Sequence, residues 1–156
     1  MKKNTPFAVT SGFAATLTIL GMGAISQISS EWALIMAPFG ASCVIAFGLP
    51  NSPLAQTKNI VFGHLLTSMV GLSMLTVLGN TLPSLALGVG LGITLMQLTD
   101  TTHPPAGANP LLIVLTDQQW PFLFQTVLPG SLCLVLAAYS YKQLNDKLSQ
   151  SQRGFF

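Results

Sequence analysis

Long uncharged stretches are the feature that most limits what this chain can fold into. No charged side chain occurs in residues 4–30, 32–57, 59–99 or 118–141. A soluble domain carries charge on about a quarter of its residues, whereas only 6% of this chain is charged and its mean hydropathy is +0.62. Such a chain cannot solvate its own surface. The pattern predicts an all-α membrane protein with a single transmembrane domain.

Six apolar segments follow one another along the chain. The first is longer than the apolar core of a signal peptide, about 7–15 residues, so it is predicted to be a transmembrane helix rather than a cleaved leader. A complete crossing needs about 20 residues, and the second and fifth segments are short or interrupted. The segments cover residues 7–28, 32–49, 59–79, 82–98, 104–116 and 121–141.

The basic residues support six crossings. Crossing six times places both termini, the 50–58 loop and the 99–103 turn on one side of the membrane. Positive residues concentrate on the cytoplasmic side of membrane proteins, so both termini and the tail 142–156 are predicted to be cytoplasmic. That one side would hold every basic residue of the chain: Lys2, Lys3, Lys58, Lys142, Lys147 and Arg153.

An internal repeat is indicated at an offset of 67 residues. The stretch PFGASCVI at 38–45 then aligns with PAGANPLL at 105–112, which pairs Ser42 with Asn109. Coincidence in a chain rich in small residues is the alternative. Each repeat, about 7–79 and about 82–141, holds three crossings, so the halves would run in opposite directions. Transporters built from such 3+3 inverted repeats place their site at the repeat interface.

The two interrupted segments predict half-helices that begin inside the membrane. Each residue that precedes a proline is pushed away from helical geometry, so 103–105 should be extended. Asn109 and Ser42 are favoured N-cap residues, which predicts half-helices over 110–116 and 43–49. Their N-termini should face each other near the bilayer centre.

Opposed helix N-termini predict a small-anion site, because each carries partial positive charge and unpaired N–H donors. The alternative is that Pro38 and Pro105 merely kink two packing helices. The predicted substrate-binding residues are Gly40, Ala41, Ser42, Cys43, His103, Pro105, Gly107, Ala108 and Asn109.

Two histidines and one aspartate are candidates for a proton or gating role. Histidine changes charge near neutral pH, and ionisable residues inside membranes are functional hypotheses by default. His103 has Asp100 as a plausible partner, or it is a turn histidine bonded to Thr101 or Thr102. His64 is either functional or bonded to a helix carbonyl.

The sequence lacks the residues that other classes of function require. Two histidines and four acids, scattered by topology, give no metal site, no cofactor site and no nucleophile with its base. A net charge of +2 offers no patch for nucleic acid. Cys43 and Cys133 are predicted to be small buried hydrophobes. Gly88 and Gly92 form a small-residue face for close helix contact, and such faces would suit a homo-oligomer.

The motifs THPPAGANPLL and MAPFGASCVIAFG resemble the HPP family of integral membrane proteins, named for His103, Pro104 and Pro105. The resemblance covers about residues 5–145. It implies nitrite transport in a bacterial inner membrane of cyanobacterial type. Many bacterial relatives also carry a C-terminal soluble CBS region, which this chain is expected to lack.

The sequence therefore predicts a non-enzymatic channel or transporter for nitrite or a similar small anion. A channel for water or small neutral solutes is the alternative, since paired half-helices with polar caps suit neutral permeants as well.

Overall fold

The computed structural model describes residues 5–28 and 33–153, with side chains as far as residue 147. Within these ranges the fold is built from helices alone. The long helices are α1 (Thr5–Ile28), α3 (Thr57–Leu78), α4 (Leu82–Leu98) and α6 (Leu128–Arg153), which a π-helical turn, Leu123–Val127, precedes. The first short helix is α2 (Ala37–Gly48). The second, Pro104–Leu115, is a 3-10 turn, Pro104–Ala108, that continues as α5, Asn109–Leu115.

Three of these helices are long and apolar enough to cross a membrane: α1, α3 and the stretch Leu123–Lys147. The two short helices have 12 residues each, and 12 residues at 1.5 Å reach about 18 Å. That is well short of the roughly 30 Å of a bilayer core. The protein is therefore a multi-pass membrane protein whose short helices need the rest of the fold to complete their crossing.

The helices pack as two three-helix groups, and each group combines both halves of the chain. One group consists of α1, α2 and α6; the other consists of α3, α4 and the second short helix. We call the contact between them the seam. Along the seam α3 packs on α6, and α2 packs on the 3-10 turn Pro104–Ala108. Each half of the sequence thus contributes one helix, α3 or α6, to the group that is formed mainly by the other half.

One end of the molecule gathers the start of α1, the end of α2 and the polar part of α6. The Ser11 hydroxyl lies 2.9 Å from the Phe47 carbonyl oxygen and 2.9 Å from the Tyr141 hydroxyl. At the start of α3, Lys58 pairs with Asp100 at 2.8 Å. The predicted grouping of Lys58 with the 99–103 turn is therefore observed. Lys2, Lys3 and the Arg153 side chain lie outside the described residues.

The predicted start of the first half-helix is wrong, because this helix begins at Ala37 and not after Ser42. The α-helical part of the second begins at Asn109, within one residue of the prediction, but a 3-10 turn that starts at Pro104 leads into it without a break. In each case a proline occupies the first turn, where its missing N–H costs nothing. Ser42 and Asn109 therefore lie within their helices, and their side chains are free to bond with other elements.

The predicted tip-to-tip arrangement is also wrong. Ser42 is the sixth residue of its helix, yet its hydroxyl contacts His103, which immediately precedes the other helix. The two short helices therefore overlap side by side through their first turns. The expected extended stretch 103–105 is reduced to His103, at φ −135° and ψ 100°.

The helix bounds repeat at the same offset as the sequence motif. Adding 67 to 37–48 gives 104–115, the bounds of the second short helix. The residues just before the two helices, Met36 and His103, are also 67 apart, and both are extended. Helix α6 continues into the tail as far as Arg153.

Candidate functional site

One face of α3 carries polar and small side chains into the interior. His64, Thr67 and Ser68 are fully buried there, followed by Gly71. Residues spaced by three, four and seven positions share one helix face. This face lies in the middle of an apolar helix, where an unpaired polar group costs several kcal/mol. Thr67 donates to the Gly63 carbonyl of its own helix at 2.8 Å, whereas His64 and Ser68 find their partners on neighbouring elements.

The Ser42 hydroxyl joins two histidines across the seam. Its Oγ lies 2.8 Å from His64 Nε2 and 2.8 Å from His103 Nε2, while the carbonyl of Pro38 is 3.2 Å away. His103 donates from Nδ1 to the Leu54 carbonyl oxygen at 2.9 Å. All three side chains are 0% exposed. The group containing α2 thus reaches the other group through one buried hydroxyl.

Asn109 completes the network at its other end. Its Nδ2 lies 3.0 Å from His64 Nδ1, 3.0 Å from the His64 carbonyl, 2.9 Å from Ser68 Oγ and 3.1 Å from Thr67 Oγ1. Its Oδ1 is 3.3 Å from His64 Nδ1. We call this set the buried polar network: Ser42, His64, Thr67, Ser68, His103 and Asn109.

Aromatic and glycine contacts hold the histidines in place. His64 meets the Phe39 ring edge-on at 5.0 Å between centroids and the His103 ring at 5.1 Å. A Cβ on Gly63 would lie 3.0 Å from both His103 Cβ and the Thr101 oxygen, tighter than ordinary van der Waals contact. Glycine at 63 therefore lets the 101–103 segment press against α3.

A notch of three glycines seats the second short helix. A Cβ on Gly71 would come within 2.8 Å of Pro110 Cα, and one on Gly88 within 2.9 Å of Pro110 Cβ. A Cβ on Gly92 would meet Thr67 at 3.3 Å. The predicted close-contact role of Gly88 and Gly92 is therefore confirmed within the chain, where Gly88 faces Pro110 and Gly92 faces Thr67.

The turn before His103 is fixed by a buried amide and a surface ion pair. Asn59 Nδ2 donates to the Pro53 and Thr102 carbonyl oxygens at 3.3 and 2.9 Å. The hydrogen bond from Lys58, together with its charge, holds the pKa of the Asp100 carboxyl below its usual value. Asp100 therefore pairs with Lys58, and the expectation that it partners His103 is wrong.

Two open grooves lie near opposite ends of α2. One, of about 510 Å³, is lined by the 50–57 loop and by α6 residues that include Tyr139 and Lys142. The other, of about 570 Å³, is lined by 116–119, by Gln125 and Thr126, and by Met36 and Ala37 at the start of α2. No residue of the buried polar network lines either groove.

The structure brings together four of the predicted site residues and separates the others. Ser42, His103 and Asn109 meet His64 in the network, and Pro105 is buried beside them. Gly40, Ala41 and Ala108 are exposed, and Gly107 is half-buried with open space beside it. Cys43 belongs to the apolar core. Bonds from His103 to Thr101 or Thr102, and from the His64 ring to a helix carbonyl, are not among the contacts observed.

Sequence reasoning missed Asn59, Thr67 and Ser68. The spacing of His64, Thr67, Ser68 and Gly71 along a single apolar helix was the available signal. Among the described residues no cluster of three or more His, Cys, Asp or Glu side chains is placed to hold a metal ion.

A sequence profile described as HPP, transmembrane region, matches residues 2–151. The chain belongs to the HPP transmembrane family. Two transmembrane proteins of Dictyostelium discoideum are similar to it, at 38% and 36% identity over 119 residues. Each match covers 71% of this chain, but only 42% and 38% of the respective relative. The chain thus spans about two fifths of the length of these curated relatives. No solved structure matches it.

Proposed function

We propose that this HPP family protein carries nitrite, or a similar small inorganic anion, through the seam between its two helix groups. The observation that supports this most directly is the buried polar network itself, in which hydrogen-bonding side chains from both helix groups meet in the interior. Polar side chains inside a membrane protein mark the route of a polar substrate. In the proposed orientation, the end with Lys58 and Lys142 faces the cytoplasm of a plasma membrane.

The starts of the short helices suit an anion. Neither Met36 nor His103 gives its helix a side-chain cap, so N–H groups in the first turns have no side-chain acceptor. Met36 and Ala37 line one groove, and His103 is bonded to Leu54, in the loop that lines the other. One groove therefore leads to the positive end of the first short helix, and the loop that borders the other groove is bonded to the residue before the second short helix.

The proposed transport relies on the two-fold relation between two inverted repeats. A Cβ on Gly63 would meet the Thr101 oxygen at 3.0 Å, and a Cβ on Gly130 would meet the Leu34 oxygen at 3.1 Å. Glycines 67 residues apart thus press against carbonyls 67 residues apart, and each contact crosses between the halves. Related contacts of this kind are what two interlocked, oppositely directed repeats produce. Rocking of one helix group against the other would open the network to each groove in turn.

Nitrite flux through purified protein in liposomes tests the proposal. Asn109→Ala removes the amide at one end of the network, and leaves buried partners unsatisfied at a cost of about 1–3 kcal/mol. We expect nitrite uptake to fall strongly while the protein remains folded. Ser131→Ala is the matched control, because it removes a fully buried hydroxyl outside the network and should leave uptake unchanged.

Two outcomes would contradict the proposal. Absence of nitrite uptake by the unmodified protein would exclude nitrite as substrate, and unchanged uptake by Asn109→Ala would exclude the network as the route. Osmotic swelling measured with glycerol and with water in the same vesicles tests the alternative function. A channel for neutral solutes would conduct glycerol and water but not nitrite.

A further inference from the structure

We propose that the buried polar network binds one proton and relays it between His64 and His103 through the Ser42 hydroxyl, so that anion transport is coupled to proton transport. This inference rests on the proposed anion function. Its starting point is the negative charge that an anion would bring into the seam.

Charge balance at the network is the first argument. An unpaired ion in a dry interior costs many kcal/mol. The described lysines do not reach the network: Lys58 is paired with Asp100 at the surface, Lys142 lines a groove, and Lys147 is exposed near the end of α6. The two histidines are the basic groups in contact with the route. A proton taken up with the anion would make the pair neutral.

Hydrogen-bond direction through the network is the second argument. A carbonyl only accepts, so His103 must carry its proton on Nδ1, facing Leu54. In neutral His103 the Nε2 atom therefore accepts from the Ser42 hydroxyl, and Ser42 Oγ in turn accepts from His64 Nε2–H. His64 Nδ1 then accepts from the Asn109 amide at 3.0 Å. Every bond points the same way, from Asn109 to Leu54.

This chain is complete for a proton transfer. A proton that binds to His64 Nδ1 finds the Asn109 oxygen 3.3 Å away as its acceptor. His64 then gives up the proton on Nε2 to Ser42 Oγ, while Ser42 gives its own hydroxyl proton to His103 Nε2. His64 ends neutral with its proton on Nδ1, and His103 ends as the cation. No bond other than N–H and O–H is made or broken.

A single proton is the capacity of the site. The two rings are 5.1 Å apart, so two imidazolium charges would repel strongly in this buried position. The remaining titratable groups on the surrounding elements lie elsewhere. Asp100 pairs with Lys58 at the surface, and Cys43 lies in the apolar core. On α6, Cys133 is partly buried, Tyr141 bonds to Ser11, and Lys142 and Asp146 line a groove.

The seam makes the relay depend on conformation. Ser42 belongs to one helix group, and both histidines belong to the other group. Any motion that separates the groups breaks both 2.8 Å contacts at Ser42. The proton can then pass only in the closed arrangement, which is the condition for coupling it to the anion.

Flux measurements with a trapped pH dye test the coupling. In unmodified protein we expect one proton to enter with each nitrite, an inward proton gradient to accelerate uptake, and an imposed membrane potential to have no effect. Ser42→Thr and Ser42→Val have the same shape and differ in the hydroxyl. We expect Ser42→Thr to retain proton movement with nitrite and Ser42→Val to lose it, while Ser131→Ala behaves as unmodified protein.

Labelled-histidine NMR on the unmodified protein provides a readout that needs neither nitrite flux nor a variant. The two rings should respond together to the uptake of one proton. Independent titration of the rings, or nitrite uptake that follows membrane potential without a pH change, would overturn the relay. Nitrite uptake without proton movement would refute coupling but leave the anion function intact, whereas absence of nitrite uptake would refute the function itself.

Discussion

The two short helices have the same length and related positions in the sequence, yet they carry different chemistry. Before the first helix stands Met36, which is 5% exposed and belongs to the apolar core. At the related position before the second helix stands His103, which bonds to Leu54 and Ser42. His64 likewise has Ser131 as its counterpart. The two halves thus share a framework, but in each of these pairs of related positions only one position carries an ionisable side chain.

This difference separates what builds the fold from what serves the site. Three features occur at both short helices: an extended residue before the helix, a proline in its first turn and a close glycine contact beside it. These features therefore belong to the framework. Each histidine occupies only one of two related positions, so the framework does not need the imidazoles. An asymmetric centre of this kind suits a function that must distinguish the two sides of a membrane.

Replacing the residue before each short helix by leucine gives the largest expected contrast. His103→Leu leaves the Ser42 hydroxyl and the Leu54 carbonyl without their partner, which should destabilise the protein by about 1–3 kcal/mol and abolish nitrite uptake. Met36→Leu conserves volume in an apolar site and should cost less than about 1.5 kcal/mol with uptake retained. Thermal unfolding in detergent and vesicle flux measure the two effects. Equal loss of uptake in both variants would show that the asymmetry is irrelevant.

The seat of the second short helix can be disturbed without touching the network. Gly88→Ala places a methyl group 2.9 Å from Pro110 Cβ, and such overpacking costs about 1–3 kcal/mol. Gly90→Ala on the same helix meets nothing within 4 Å and should be neutral or stabilising, because alanine favours helix by about 1 kcal/mol over glycine. Thermal unfolding compares them directly. Indistinguishable unfolding temperatures would argue against the notch.

The surface pair beside the second helix should have the smallest effect. Asp100 has a positive φ of 54°, which asparagine tolerates, so Asp100→Asn removes the charge and keeps the turn. Since the pKa of Asp100 is lowered by Lys58, its contribution is present at neutral pH and lost as pH falls through the lowered value. We expect a small difference in unfolding temperature from the unmodified protein at neutral pH. It should vanish in acid and shrink in high salt; a difference that persists in acid would contradict this origin.

Periodicity and composition predicted the helices well, because apolar length and glycine or proline punctuation are local properties. The segment 59–79 was observed as Thr57–Leu78, and 82–98 as Leu82–Leu98. The first short helix was predicted to start too late, and neither Ser42 nor Asn109 is an N-cap, because each side chain has two possible uses. A free polar side chain caps its own helix, but here the buried acceptors and donors of α3 attract both side chains instead.

The predicted anion site relied mainly on backbone N–H groups, with the Ser42 and Asn109 side chains helping, whereas the structure places these two side chains in a hydrogen-bonded network with two histidines. The pairing of Ser42 with both histidines depends on how two helix groups meet, and no local pattern reports that. Asp100 was assigned to His103 by closeness in sequence, whereas folding brings it to Lys58. The polar face of α3 was visible in the spacing of its residues, but its partners were not.

The exchange of α3 into the other helix group has a consequence for biosynthesis. His64 and Ser68 leave the ribosome well before Asn109, so the contacts that they make with its amide are missing until the second half has been made. Completion of the second half then provides the missing amide. Assembly of the interior is therefore a late event, and neither half, made alone, holds all the partners that its own polar groups require.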